Sequence, residues 1–347
     1  MDPPPHRQVR CRLMHTASSS CVLIAETGDR YADFGPYVAA INNSGLVAFR
    51  AQRHGGASGL YTGDGGELNA LTLPYEAFIG HPDLDDAGAV SFIAQPQSGV
   101  PHLSVLRTSG LSRLTGISGD FAALGPLGPM MNQSGHVAFC ACSHLGEQGV
   151  YAAGQGQVKR IAVTGAALRA IHGLPAINHS GAVLLRADLQ DGRQGIFLGT
   201  GGDLTMVVDT SGPFQALGNF PSLNDAGTVA FTAQRRSGDS ELLLWSDGRV
   251  SSALGSNSPF ASFRTALIDS AGHLTFIATP RDGLLSVYRL TSERLERILG
   301  LGDSFQNSTV ADFALNAVSV NDRGQAALRL RLENGRQFIL RVEPSAP

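Results

Sequence analysis

Residues 41–51 read INNSGLVAFRA, and close variants of this phrase return six more times along the chain. The later copies are LDDAGAVSFIA from Leu84, MNQSGHVAFCA from Met131, INHSGAVLLRA from Ile177, LNDAGTVAFTA from Leu223, IDSAGHLTFIA from Ile268 and VNDRGQAALRL from Val320. Successive copies begin 43, 47, 46, 46, 45 and 52 residues apart. A period in this range is typical of four-stranded propeller blades and far above the periods of leucine-rich or ankyrin repeats. The repeat therefore predicts seven blades.

Each phrase has the chemistry of a tight turn between two strands. Its second residue is always a short polar side chain that can bond forward to the backbone: Asn42, Asp85, Asn132, Asn178, Asn224, Asp269 and Asn321. Three residues later stands a glycine in every copy: Gly45, Gly88, Gly135, Gly181, Gly227, Gly272 and Gly324. Glycine suits the left-handed position that closes a type I turn with a G1 bulge, so each phrase predicts an antiparallel hairpin.

The side chains of the strand after the turn alternate in character, which suits a sheet packed against a neighbouring sheet. Val47, Phe49 and Ala51 share one face, and the same pattern recurs in most later copies. A third segment such as GVYAAG and a fourth such as VKRIAVTG follow in each unit, separated by a short turn. One repeat thus predicts a blade of four antiparallel strands.

The two ends of the chain complete one another. The last copy supplies only three strands between Ala317 and Val342, whereas the segment Ser20 to Thr27 is a strand that precedes the first copy. We expect this N-terminal strand to complete the C-terminal blade, because the ring then leaves no long unpaired edge. The predicted organisation is an all-β, seven-bladed β-propeller over residues 20–343, with tails at 1–19 and 344–347.

Composition agrees with this class and excludes others. The 347 residues include 42 glycines and 17 prolines but only 16% charged side chains, which favours a turn-rich all-β chain. A net charge of −3 provides no basic field for nucleic acid. The chain carries no run of about 18 apolar residues and no apolar N-terminal leader. We expect a cytoplasmic monomer that binds neither nucleic acid nor membrane.

The four cysteines are Cys11, Cys21, Cys140 and Cys142, and none is spaced as a C-x-x-C pair. Cys140 and Cys142 lie two apart on a predicted strand, which is too far for an unstrained bridge. The spacing therefore predicts free thiols.

The repeated N-x-x-G-x-V-A-F phrase resembles that of bacterial tandem-repeat proteins with Asn-x-x-Gly-x-x-Ala-Phe repeats, over residues from about 20 to 343. This resemblance implies a propeller-type repeat fold. It identifies no catalytic residues in this sequence.

Strand direction alternates within a blade, so its turns divide between two faces. The uniform N-x-x-G turns and the turns between third and fourth strands share one face, which we call the turn face. The other, which we call the loop face, carries the variable connections between blades. Variable loops on a rigid scaffold are the usual location of binding groups. At the channel mouth on the loop face we expect substrate-binding residues at Tyr31, Asp33, Tyr75, Glu76, Asn219, Arg264 and Asp312.

Two histidines are candidates for acid–base chemistry. His81 and Asp83 stand four and two residues before a turn Asp, where most other blades carry apolar or small residues. On a strand the two side chains share a face, so the carboxylate could orient the imidazole. The alternative is a solvated histidine and an aspartate that caps a loop. His172 could face the same mouth from another blade, and a second histidine keeps a metal site open; its alternative is an ordinary loop histidine.

Two classes of function follow. In the first, the mouth binds a small organic molecule and the catalytic candidates His81, Asp83 and His172 perform cyclisation, isomerisation or elimination. In the second, the propeller is a non-catalytic protein-interaction scaffold. No cofactor fingerprint or metal-binding motif occurs, so we expect neither a cofactor nor a metal.

Overall fold

The computed structural model describes residues 20–75, 77–97, 99–116 and 121–344. These residues form seven antiparallel sheets of four or five strands arranged in a ring, which confirms the seven-bladed β-propeller. Strands are numbered β1 to β32 along the chain, and the strand of each blade that leads into the N-x-x-G turn is called its inner strand.

Blades 1, 3 and 5 have an inner strand that is split into two short pieces. Blade 1 contains β2 (Tyr31–Asp33), β3 (Ala40–Ile41), β4 (Val47–Arg53), β5 (Ser58–Gly63) and β6 (Asn69–Ala70). Blade 3 contains β11 (Phe121–Leu124), β12 (Met130–Met131), β13 (Val137–Ser143), β14 (Gln148–Gly154) and β15 (Gln157–Val163). Blade 5 contains β20 (Phe214–Leu217), β21 (Ser222–Leu223), β22 (Val229–Arg235), β23 (Ser240–Ser246) and β24 (Arg249–Leu254).

Blades 2, 4 and 6 have a continuous inner strand with at least one shift of register. Blade 2 contains β7 (Phe78–Leu84), β8 (Val90–Ala94), β9 (His102–Arg107) and β10 (Gly110–Gly116). Blade 4 contains β16 (Leu168–Ile177), β17 (Val183–Leu189), β18 (Gln194–Gly199) and β19 (Thr205–Asp209). Blade 6 contains β25 (Phe260–Ile268), β26 (Leu274–Pro280), β27 (Ser286–Leu290) and β28 (Leu295–Gly300).

Blade 7 combines both ends of the chain. Its strands are β29 (Ser304–Phe305), β30 (Ser308–Ala314), β31 (Ala326–Leu332), β32 (Gln337–Val342) and β1 (Cys21–Glu26), with a 3-10 turn at Ala317–Ser319. β1 pairs with β32 in antiparallel register, Cys21 opposite Val342 and Glu26 opposite Phe338. The predicted closure of the ring by the N-terminal strand is therefore confirmed.

The repeated turns have the predicted geometry. All seven turn glycines have positive φ, between +74° and +87°. In each turn the glycine amide donates to the carbonyl oxygen of the Asn or Asp three residues earlier, as between Gly181 and Asn178 at 3.0 Å. Residues with a side chain rarely adopt this left-handed backbone conformation, which is why glycine stands at these positions.

The turn asparagines also connect the blades. Each donates through Nδ2 to the carbonyl oxygen of the turn residue in the next blade: Asn42 to Asp85, Asn132 to Asn178, Asn178 to Asn224, Asn224 to Asp269, and Asn321 to Asn42. Asp85 and Asp269 hold the same place but have no amide to donate. Five side-chain amides thus tie neighbouring blades together around the turn face.

Two results bear on the cysteines. Cys140 and Cys142 are free, as predicted. Cys21 is disulfide-bonded, so the prediction of a free thiol is wrong there. Cys11 and the predicted tail at 1–19 lie outside the described residues, as do residues 345–347 of the predicted tail at 344–347. Within the described part of the chain, no helix is long and apolar enough to span a bilayer.

Candidate functional site

His81 and Asp83 lie on β7 but are buried, with residue exposures of 3% and 5%. Both carboxylate oxygens of Asp83 accept backbone amides, from Leu84 at 2.8 Å and from Met131 at 2.7 Å. The His81 Nδ1 lies 3.1 Å from the Pro82 carbonyl oxygen, and its Nε2 has no partner among the described residues. The expected hydrogen bond between carboxylate and imidazole does not form, because the backbone amides already occupy the carboxylate.

Asp83 instead occupies a position that joins neighbouring inner strands. It stands two residues before the turn residue, as do Ser222 and Ser319. The hydroxyl of Ser222 donates to Ala266 O at 2.8 Å and accepts the amide of Ile268 at 3.0 Å, while Ser319 donates to Ala39 O at 2.8 Å. Each of these polar groups thus bridges to the next blade, and Asp83 bridges blade 2 to blade 3 in the same way.

The surroundings of His81 and Asp83 keep both groups neutral over a wide range of pH. Burial lowers the pKa of His81 to about 4 and raises the pKa of Asp83 to about 7. Gly128, at the equivalent position of blade 3, makes room for the imidazole, since a Cβ there would lie 2.7 Å from His81 Nδ1. These properties describe a packed contact between blades rather than an accessible mouth.

The two predicted tyrosines take different places. Tyr31 is 3% exposed and packs edge-on against Tyr61, at 4.9 Å between ring centroids. It holds the position that Phe121 and Phe260 occupy in blades 3 and 6, so the repeat assigns it to the blade core rather than to a mouth. Tyr75 is half-buried, and its hydroxyl lies 2.8 Å from Nε2 of His102. Glu76 lies outside the described residues.

Asp33 and Asp312 lie at matching positions on the inner strands of blades 1 and 7. Asp33 accepts Gln337 Nε2 at 2.6 Å, and Asp312 accepts Arg329 at 2.9 Å. The Asp312 side chain is 42% exposed and Arg329 is 7% exposed. These two predicted residues therefore lie at the loop-face end of their blades, each held by a side chain of blade 7.

His172 is part of a charged cluster on blade 4. Its Nε2 lies 3.0 Å from Asp188 Oδ2, and the same carboxylate is bonded by Arg186 at 2.7 Å and Arg169 at 3.1 Å. The His172 side chain is 37% exposed, whereas Arg186 is only 5% exposed. The carboxylate-oriented imidazole expected at His81 thus occurs at His172, with Asp188 as its partner.

Electrostatics keep the Asp188 carboxylate charged. Burial alone would raise its pKa, but the hydrogen bond from His172 and the charge of Arg186 outweigh burial and hold the pKa below its ordinary value. Burial lowers the pKa of Arg186, partly offset by Asp188. The Nε of Arg186 has no partner among the described residues. An ionised carboxylate behind a half-exposed imidazole is an arrangement that can move a proton.

Blade 5 packs against Gly173, the residue that follows His172. A Cβ at Gly173, beside His172, would collide with the carbonyl oxygen of Asn219 and lie 3.6 Å from the ring of Phe220. Asn219 is exposed, and Phe220 is an exposed aromatic side chain at 39%. Arg264 holds the corresponding position of blade 6 and is exposed, with no ion pair or hydrogen bond among the described residues. Gly173, next to His172 in the chain, thus packs against Asn219, whereas His81 and Tyr31 are buried.

Asp188 and Arg186 were not predicted, although the repeat carries a signal for Asp188. It stands ten residues after the turn Asn and is the only acidic residue at that position. Arg186, at eight residues, does not stand out, because blades 1 and 7 carry Arg50 and Arg329 there. Comparison of blades on the second strand, rather than the first alone, identifies Asp188.

Among the described residues, no group of three or more His, Cys, Asp or Glu side chains is placed to hold a metal ion. The His172 cluster has one carboxylate and two arginines, a set that suits an anion rather than a cation.

A family model described as a family of unknown function, DUF7453, matches residues 74–337. The chain belongs to this family. A search of curated proteins finds no match. The DUF7453 chain is similar in fold to an oligogalacturonate lyase in complex with manganese, with TM-score 0.60, 10% identity, and coverage of 96% of this chain and 99% of that one.

Two further solved structures show the same likeness. The oligogalacturonate lyase of Vibrio parahaemolyticus gives TM-score 0.58 at 9% identity over 94% of this chain and 98% of that one. The acylaminoacyl peptidase of Pyrococcus horikoshii gives 0.57 at 11% identity over 89% of this chain and 52% of that one, so the DUF7453 chain spans about half its length. At these identities the likeness shows the propeller fold alone.

Proposed function

We propose that the propeller binds a small organic acid at the loop-face mouth beside blades 4 and 5, and that His172 transfers a proton on it. The observation that carries this proposal is the His172–Asp188 contact, held from behind by the buried Arg186. An imidazole fixed by an ionised carboxylate is a general acid or base that can act near neutral pH. The reaction would be a cyclisation, an isomerisation or an elimination that needs only proton transfer.

The acidity of the ligand is inferred from the charges around the cluster. Arg169 is exposed beside His172, and Arg264 is exposed at the equivalent edge of blade 6, with no partner among the described residues. Guanidinium groups bind carboxylates with two parallel hydrogen bonds. Phe220 adds an exposed ring against which an apolar part of the ligand can pack.

The test begins with a thermal-shift screen of small organic acids against the full chain, followed by turnover assays on those that bind. We expect His172→Gln to lower turnover by about 100-fold or more with unchanged melting temperature. Arg264→Ala is expected to raise the dissociation constant more than it slows turnover. His179→Gln is the matched control, because His179 is an exposed histidine in a turn on the opposite face.

Wild-type turnover by His172→Gln would contradict the catalytic role of His172. The scaffold alternative would be supported if no acid binds and the same variants lose a macromolecular partner.

A further inference from the structure

The third strand of blade 5 departs from the pattern of the repeat. In four other blades a small residue is followed two positions later by an aromatic one: Gly59 and Tyr61, Gly149 and Tyr151, Gly195 and Phe197, Ser286 and Tyr288. The ring lies over the small residue, since a Cβ at Gly59 would be 2.8 Å from the Tyr61 hydroxyl. Blade 5 has Glu241 and Leu243 instead, and Glu241 takes the same register position, opposite Ala233.

Glu241 is a buried carboxylate beneath an arginine. It is 5% exposed, and its Oε1 lies 2.9 Å from Nε of Arg235. Its Oε2 has no partner among the described residues. Burial of a carboxylate is costly unless it is paired, so this replacement does not serve packing alone.

The pairing fixes the guanidinium of Arg235. Its carbon lies 5.5 Å from the centroid of the Phe214 ring, while Nε faces Glu241. The Arg235 side chain is 37% exposed, and its two terminal nitrogens make no ion pair or hydrogen bond among the described residues. The free edge of the guanidinium is therefore held in place before any ligand arrives.

This arginine lines a groove of about 500 Å³ between β19 of blade 4 and blade 5. Apolar side chains supply much of the lining, with Met206 and Val250 on opposite blades and Phe214 and Leu243 between them. Met206 is 45% exposed and Val250 42% exposed, so the groove presents apolar surface to solvent. It lies toward the outer strands of the blades, apart from the His172 cluster.

Other charged groups around the groove already have partners. Asp209 is paired with Arg193, and Asp239 accepts the hydroxyl of Ser237. Arg236 donates to the carbonyl oxygens of Gly212 and Thr210. Arg235, by contrast, has neither terminal nitrogen bonded among the described residues.

We propose that this groove binds an amphipathic monocarboxylate, with its apolar body between Met206 and Val250 and its carboxylate on the free edge of Arg235. The planar two-donor edge matches the two oxygens of a carboxylate, which a hydroxyl or an amine does not. Glu241 is a positioning residue that acts through Arg235. This site is independent of the mouth at His172.

The experiment uses three probes of equal chain length, octanoate, octanol and octylamine, and isothermal titration calorimetry on the full chain. We expect octanoate to bind at least about tenfold more tightly than the other two. Arg235→Met is expected to weaken octanoate binding at least about tenfold and to leave octanol binding unchanged. The matched control is Arg53→Met, because Arg53 holds the equivalent position of blade 1 and donates to Tyr61 at 2.6 Å.

A second variant tests whether the departure of blade 5 from the repeat is needed for binding. Glu241→Gly with Leu243→Tyr restores the residues of blade 1, so we expect a folded chain that no longer binds octanoate. If this double variant does not fold, the Arg235→Met result decides. Equal affinity for octanol and octanoate, absence of octanoate binding at millimolar concentration, or an unchanged affinity in Arg235→Met would overturn the proposal. His172→Gln separates the two sites, since it is expected to leave octanoate affinity unchanged.

Discussion

The side-chain amide of Asn321 donates a hydrogen bond of 2.8 Å to the carbonyl oxygen of Asn42, across the junction between the last blade and the first. Its Oδ1 meanwhile accepts the amides of Arg323 and Gln325 in its own turn. One buried side chain therefore both shapes a turn and holds the ring closed.

Asn321→Asp keeps the turn acceptor but removes the donor to Asn42. We expect a loss of about 1 to 3 kcal/mol in the free energy of unfolding, because the hydrogen bond to Asn42 is lost and a carboxylate oxygen then faces that carbonyl oxygen. Asp85→Asn makes the opposite change in blade 2 and is expected to stabilise the chain. Urea denaturation gives the free energy of unfolding of both variants and of the wild type. Equal values for all three proteins would show that the amide hydrogen bonds between blades are dispensable.

Removal of residues 1–27 deletes β1 and leaves the edge of β32 unpaired. We expect this truncation to aggregate, since an exposed edge strand pairs with other chains. A control that lacks only residues 1–10 retains β1 and every cysteine, and we expect it to remain monodisperse. Light scattering and thermal unfolding compare the two. Equal behaviour would contradict the role of β1 in closing the ring.

The turn glycines are required for backbone conformation rather than for space. Gly181 and Gly227 have φ of +83° and +81°, and a Cβ at either would meet no atom within 4 Å. Gly181→Val or Gly227→Val is expected to cost about 1 to 3 kcal/mol of folding free energy through strain alone. Gly202→Val is the matched control, because Gly202 is equally open but lacks the left-handed φ. A control variant as unstable as the other two would refute this explanation.

The buried pair His81 and Asp83 predicts two pH dependences of opposite sign. The pKa of Asp83 is raised to about 7 in the fold, so its contribution to stability decreases as pH rises from about 4 to about 7. The pKa of His81 is lowered to about 4, so its contribution decreases as pH falls from about 6.5 to about 4. In the wild type the two terms oppose one another.

Single variants separate these two terms. Asp83→Ser takes the residue of blades 5 and 7, and His81→Leu takes that of blade 4. Relative to wild type, the stability of Asp83→Ser is expected to rise with pH between 4 and 7, and that of His81→Leu to fall. The full span for Asp83 is up to about 4 kcal/mol. Chemical denaturation at several pH values gives both differences, and parallel curves for all three proteins would contradict the buried pair.

The repeated phrase by itself determined the architecture. Seven turn glycines, seven turn Asn or Asp residues and an alternating strand after each turn are local requirements, so they can be read from single segments. Ring closure could also be predicted, because the last repeat lacks one strand and the N-terminus has one strand in excess. Each of these inferences needed only the order of residues along the chain and the comparison of one repeat with another.

The candidate site depended on contacts between strands and between blades that the order of residues does not show. His81 and Asp83 differ from the repeat as His172 does, but the amide of Met131 and the absence of a side chain at Gly128 turn them into a packed contact between blades. His172 remains accessible because Asp188 and Arg186, on the neighbouring strand, hold it from behind. Sequence periodicity specifies which face of a strand a side chain occupies, whereas the packing of the next blade against that face decides whether the side chain is buried, bonded or free.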